Sequence, residues 1–201
     1  DMACDYVFLG NKTIDFEVPG TLGLVYLHKT WITQKGKLNA FPFIDAKDYL
    51  NEVEIHPKLN FVYITLDQLD NAFITKINMD KTAVLVIDTY HPHGMAEQRK
   101  LFNDLLLSNC ETPVIIGRAY GDLSEEQIQL YAATDMGALL VDGLGDGVFI
   151  AAENCGSDSM LNQLAFGILQ ATRTRISKTE YISSPSFGRT LFDLQETTAK
   201  I

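Results

Sequence analysis

From residue 61 onward the sequence keeps to one pattern: a short apolar run, a turn, then a longer amphipathic stretch. The apolar runs are residues 61–65 (FVYIT), 83–88 (AVLVID), 113–117 (PVIIG) and 138–142 (ALLVD), with a last short one at 179–183. A strand that faces water on one side alternates apolar and polar residues. A run with no polar interruption is covered on both faces, as in a parallel sheet. Between the runs, helices are predicted near 67–77, over 95–107, from Ser124 onward and over 160–172. Ser124 is followed three residues later by Gln127, the spacing of a reciprocal N-terminal cap. Strand–helix units of about 25 to 30 residues are the signature of parallel α/β folds.

The first sixty residues are less regular. Short strands are predicted at 6–9, 13–18 and 22–27, around the turn signals Gly10-Asn11 and Pro19-Gly20. Counted with the later units, they make a closed arrangement feasible. The fold class expected is therefore α/β with repeated strand–helix units, TIM-barrel-like. Since a full eight-unit barrel takes about 250 residues, a degenerate barrel competes with an open doubly wound sheet. No Pro-, Gly- or Ser-rich linker, repeat or low-complexity tract divides the 201 residues.

Charge narrows the partners. Asp and Glu number 26 against 16 Lys and Arg, a net charge of −10, which repels phosphate backbones and anionic lipid alike. Neither nucleic acid nor membrane is an expected partner. The three cysteines, Cys4, Cys110 and Cys155, are odd in number and scattered, which suits a reducing compartment and gives no disulfide framework or zinc knuckle.

Parallel α/β folds carry their chemistry at the carboxyl ends of the strands. Here those ends bear Asp88, Arg118 and Asp142. After Asp88 the chain reads TYHPHG, and His91 and His93 stand on one face of an extended segment. Asp88, His91 and His93 are thus a candidate divalent-metal set, against the plainer reading of a surface turn fixed by Pro92 and Gly94. The glycine-rich DGLGDG at 142–147 offers backbone amides to a phosphate or makes a tight turn into 148–150. It matches neither dinucleotide nor nucleotide glycine motifs. Cys110 and Cys155 lack basic neighbours that would activate a thiol.

The most specific stretch is KTEYISSPSFGRTLFDLQE, residues 178–196. It resembles the entrance to the iron–sulfur domain of the 4-hydroxy-3-methylbut-2-enyl diphosphate synthase family, where a Cys-Pro-Ser-Cys-Gly-Arg-Thr run precedes Leu-Phe-Asp-Leu-Gln. LLVDGLGDGVFI at 139–150 and ILQATRTR at 168–175 are similar to the same family. They resemble its long form, found in plants and some bacteria, which carries a large insert between substrate barrel and cluster domain. The resemblance implies two parts: residues 1–176 as a barrel-like insert domain and 177–201 as the start of the iron–sulfur domain.

That family reductively converts 2-C-methyl-D-erythritol 2,4-cyclodiphosphate, using a [4Fe-4S] cluster and a ferredoxin- or flavodoxin-type electron donor. The resemblance implies cytoplasmic placement in a bacterium or plastid placement in a plant. It also exposes a departure, because Ser184 and Phe187 stand at the family's first two cluster-ligand positions. Neither side chain supplies a thiolate, so no cluster is expected in this chain and the segment reads as an inactive spacer. A first residue other than Met and a terminal helical pattern at 189–201 without a stop signal fit a segment of a longer protein. The competing readings are an independent α/β enzyme with a site at Asp88, His91, His93, Arg118 and Asp142, and a binding module for a small ligand.

Overall fold

The computed structural model describes residues 3–179. Seven strands run in chain order across one sheet, and every neighbouring pair is parallel. They are β1 (Tyr6–Gly10), β2 (Gly23–Leu27), β3 (Ala40–Asp45), β4 (Asn60–Ile64), β5 (Ala83–Ile87), β6 (Val114–Gly121) and β7 (Gly147–Glu153). The helices between and after them are α1 (His28–Gln34), α2 (Ala46–Leu50), α3 (Asn71–Met79), α4 (Gly94–Leu107), α5 (Glu125–Val141) and α6 (Asp158–Ala171). A doubly wound sheet reverses its strand order at a switch point. This sheet never reverses, so the winding is that of a barrel.

The sheet curls almost onto itself. Laid flat, seven strands at about 4.8 Å spacing would hold β1 and β7 about 29 Å apart. Instead, the rings of Phe8 on β1 and Phe149 on β7 lie 5.4 Å apart, and Phe43 on β3 is 6.1 Å from Phe149. No ladder joins β1 to β7 among the described residues. The architecture is a half-closed barrel with one seam.

Alternation along each strand then sorts the side chains. Ile44, Val62, Ile64, Leu85, Ile87 and Ile116 point outward and pack under Phe73, Leu101, Leu105, Met136 and Leu139 of the helices, forming the main core. Val25, Phe61 and Val86 point inward with Phe41, Phe43, Ile115 and Phe149. Both faces are apolar, which is why the strands read as continuous runs.

Local signals set the helix starts. Gln127 donates its backbone N–H to Ser124 Oγ at 3.2 Å while Ser124 N–H reaches Gln127 Oε1 at 2.9 Å. Asp70 and Ser157 cap α3 and α6 through the N–H groups of Phe73 and Met160. The helix predicted near 67–77 divides into a 3₁₀ turn, Leu66–Gln68, and α3.

Two expectations change. Residues 138–142 are not a strand; they are the last turn of α5 and its cap. A continuous apolar run of four fits a helix buried on several sides as well as a strand, and Leu139 and Leu140 are buried in the main core. Residues 13–18 form an irregular connection without ladder bonds. Strands β3 and β7 took their places. The strand predicted at 179–183 lies outside the described residues beyond its first position, as do the helical pattern at 189–201, Ser184 and Phe187.

Candidate functional site at the carboxyl ends of the strands

Strand β5 ends earlier than its neighbour β6. Their ladder stops at Ile87 and Ile116, although β6 continues beside β7 as far as Gly121. Backbone groups beyond the end of this ladder need partners, and two buried side chains provide them. Gln98 of α4 donates Nε2 to the carbonyls of Ile87 (3.1 Å) and Gly117 (2.8 Å). Arg118 donates Nη1 to the carbonyl of Thr89 (3.1 Å). Arg118 lies within β6 and faces the helices, 8% exposed, with Nε 3.0 Å from Asp135 Oδ2 on α5. The Tyr120 hydroxyl donates to the same oxygen at 3.0 Å. Burial and the Asp135 charge hold the Tyr120 phenol above its ordinary value.

The loop after β5 is laced to this frame. Thr89 Oγ1 donates to Glu97 and accepts the His91 N–H. Gly94 opens α4 against the Arg118 guanidinium, where a Cβ would collide with it and would stand 2.7 Å from the Thr89 methyl group. That close approach is what requires glycine there.

Asp88 points to the inner side. Its Oδ1 accepts the Thr89 N–H at 2.8 Å, and its Oδ2 lies 3.5 Å from the Tyr63 hydroxyl. Tyr63 and Tyr90 join hydroxyls at 2.9 Å. Burial holds the Asp88 carboxyl above the ordinary carboxylate range, and the Thr89 N–H, the Arg118 charge and the Tyr63 hydroxyl offset this only in part. Burial, the Tyr90 bond and the Asp88 charge push the Tyr63 phenol up in turn. A cavity of about 460 Å³ sits beside this group, with Phe43, Asp45, Asp48, His28 and Lys29 among its walls.

The structure does not gather the candidate metal set. His91 turns its Nδ1 back to accept the His93 N–H at 3.0 Å, and the two rings stand 5.8 Å apart in the exposed turn. Asp88 is engaged with Thr89 and Tyr63 instead. Among the described residues, no group of three or more His, Cys, Asp or Glu side chains is arranged to hold a metal ion. Cys4, Cys110 and Cys155 are all free thiols, and Cys155 is buried with its Sγ 3.1 Å from the Glu153 carbonyl.

Asp142 leaves the site altogether. As the C-cap of α5 it precedes β7, at the opposite end of the sheet, and pairs with Arg99 at 2.6 Å. The glycine-rich stretch closes the helix: Gly143 and Leu144 donate their N–H groups to the carbonyls of Leu140 and Leu139, both at 3.0 Å. Positive φ at Gly143 and Gly145 makes this turn possible. Its first amides serve the helix end and leave no phosphate cradle. Tyr63, Tyr90 and Asp135 were missed by the sequence reasoning. Period-two alternation from Phe61 marks Tyr63 as inward-facing, whereas nothing local marks Asp135.

Fold and site define a parallel α/β half-barrel of the TIM type, with carboxylates and tyrosines around its carboxyl end. No family model matches the chain. It is 39% identical over 197 residues to the 4-hydroxy-3-methylbut-2-en-1-yl diphosphate synthase (flavodoxin) of Parabacteroides distasonis, a match covering 98% of this chain and 31% of that protein. The enzyme of that name from Bacteroides thetaiotaomicron is 38% identical over 197 residues, 98% of this chain and 32% of its own length. That of Leptospira interrogans is 46% identical over 97 residues, 48% of this chain and 14% of its length. The chain is homologous to a segment of these synthases and spans about a third of the length of the curated relatives it matches end to end. Among the described residues, no helix is long and apolar enough to cross a membrane.

Proposed function

We propose that this chain is a scaffold segment of a 4-hydroxy-3-methylbut-2-enyl diphosphate synthase, holding the catalytic parts on either side of it at a fixed separation. The observation that carries this reading is the similarity over 98% of the chain to about a third of a synthase. The longer protein would reductively open 2-C-methyl-D-erythritol 2,4-cyclodiphosphate with electrons from a flavodoxin-type donor in the cytoplasm. Residues 1–176 would form the scaffold and 177–201 would lead into the cluster domain.

The polar groups of the described residues support a structural role. Arg118, the cation among the strand-end candidates, is committed to Asp135 and to a backbone carbonyl. A diphosphate would meet Asp45, Asp48 and Asp88 at the carboxyl mouth, an unfavourable field for an anion. The iron–sulfur cluster does not fit this chain's donors. The three cysteines are not gathered into a ligand group, and Ser184 and Phe187 carry no thiol. Any cluster would take its thiolates from elsewhere in the longer protein.

The test is a chimera in which residues 3–179 replace the matching segment of the Parabacteroides distasonis synthase. Turnover within about tenfold of the parent is expected, while a Gly/Ser linker of equal length should abolish it. In the chimera, Asp88→Asn and Tyr63→Phe should each change turnover less than about threefold. A loss of several hundred-fold from either, with the fold intact, would equal about 3.5 kcal/mol of transition-state stabilisation and would make the segment a participant.

A further inference from the structure

Small closed barrels fill their interiors with layers of side chains. This half-barrel does not. The inward position that opens β7 is Gly147, where a Cβ would meet nothing closer than Ile115 at 3.8 Å. The result is a cavity of about 370 Å³ inside the curl, running to the seam between β1 and β7. Its walls are the rings of Tyr6, Phe8, Phe43, Phe61 and Phe149, with Phe166 of α6 behind the seam.

The hollow is open where Tyr6 and Phe8 are exposed, and its apolar walls forfeit the contacts that a filling group would make. Water is a poor filler against the ring-lined part, since a buried water needs two to four polar partners and ring carbons offer none; the polar lining is Asp5, Asp146, Asn162, Thr174 and Arg175. The charged groups at the rim are already engaged. Asp5 pairs with Arg175 across the seam, and Asp146 Oδ2 accepts the Val114 N–H at 2.8 Å. An anionic ligand would have to displace Asp5 from Arg175, and a cationic one would compete with Arg175 for Asp5. Size and charge therefore select together. A cavity of about 150 Å³ accepts benzene, so this one has room for two fused rings or a branched chain of about ten carbons.

We propose that the interior of the half-barrel is a binding site for a small, neutral, apolar molecule of about that size, admitted at the seam beside the Asp5–Arg175 pair. This site shares only Phe43 with the walls of the cavity beside Asp88 and does not depend on the scaffold role.

Isothermal titration of the full chain with 1-naphthol, 1-naphthoate and 1-naphthylmethylammonium tests size and charge together. One saturable naphthol site per chain is expected, with the two charged probes at least tenfold weaker. Ala165→Trp places an indole into the cavity from α6 and should weaken naphthol at least tenfold; Val86→Phe, filling it from β5, should do the same should the first variant not fold. Gln163→Trp, on the exposed side of α6, should leave the affinity unchanged. Absence of saturable naphthol binding to the unaltered chain would overturn the proposal, including the case in which residues 180–201 fill the space. So would equal binding of all three probes, or undiminished binding in a folded filling variant.

Discussion

Phe8 on the first strand and Phe149 on the last meet ring to ring at 5.4 Å, at 75° between planes. No backbone bond joins their strands among the described residues, so side chains draw the seam together. An edge-to-face pair adds about 0.5–1.5 kcal/mol beyond the area it buries. Phe149→Ala should cost about 2–3 kcal/mol in urea denaturation, below the range for fully buried Phe because Phe149 is half-buried. Phe16→Ala, at a ring 66% exposed, should cost under about 0.5 kcal/mol. Equal costs would mean that the ring contact does not hold the seam.

Arg118 replaces a stretch of missing ladder, so its removal should act on stability. Arg118→Met leaves Asp135 without its cation and the Thr89 carbonyl without its donor. A loss of about 3 kcal/mol is expected, and the double variant Arg118→Met/Asp135→Leu should recover part of it. Thermal and urea denaturation of the three proteins decides the point; no recovery in the double variant would show that the pair is not coupled.

Gly94→Ala tests the same contact from the other side. Its new methyl group presses on the Arg118 guanidinium and the Thr89 side chain, where overpacking costs about 1–3 kcal/mol. Combining it with Arg118→Met should give less than the sum of the two losses, since both act on one contact.

The buried Asp88 carboxyl gives a pH dependence of defined sign. Its folded value lies above the ordinary 3.8, so the folded state binds this proton more tightly than the unfolded chain. The stabilisation is fully present below the unfolded value and is lost as pH rises through the folded one. Asp88→Asn removes this dependence. The variant should therefore gain stability relative to the parent chain between about pH 4 and neutrality. Paired denaturation curves across that range measure it, and a constant difference would contradict the burial argument.

His91 and His93 should behave as turn residues toward metal. Calorimetric titration with zinc is expected to give equal, weak heats for the unaltered chain and for His93→Ala. A saturable site lost in the variant would restore the metal reading of Asp88, His91 and His93.

The sequence by itself determined the alternation of strand and helix, because strands covered on both faces read as unbroken apolar runs. Residues 61–65, 83–88 and 113–117 announced β4, β5 and β6 in this way, and Ser124 with Gln127 announced the start of α5. It also carried the kinship to the synthases, through the motif at 178–196. Strand β3 stayed hidden because Pro42 sits in its middle, where a missing N–H usually argues against a strand. Strand β7 stayed hidden because the run at 138–142 claimed its place, and four apolar residues look alike on a buried strand and a buried helix turn. Only the tertiary structure decided what the polar residues do. Arg118 lies on β6 and Asp88 one residue past β5, both strands that the sequence located, but their roles depend on what packs around them. The Arg118–Asp135 pair and the Phe8–Phe149 contact join residues 17 and 141 positions apart. Contacts at such separations are set by the curl of the sheet, and no local pattern of side chains encodes them.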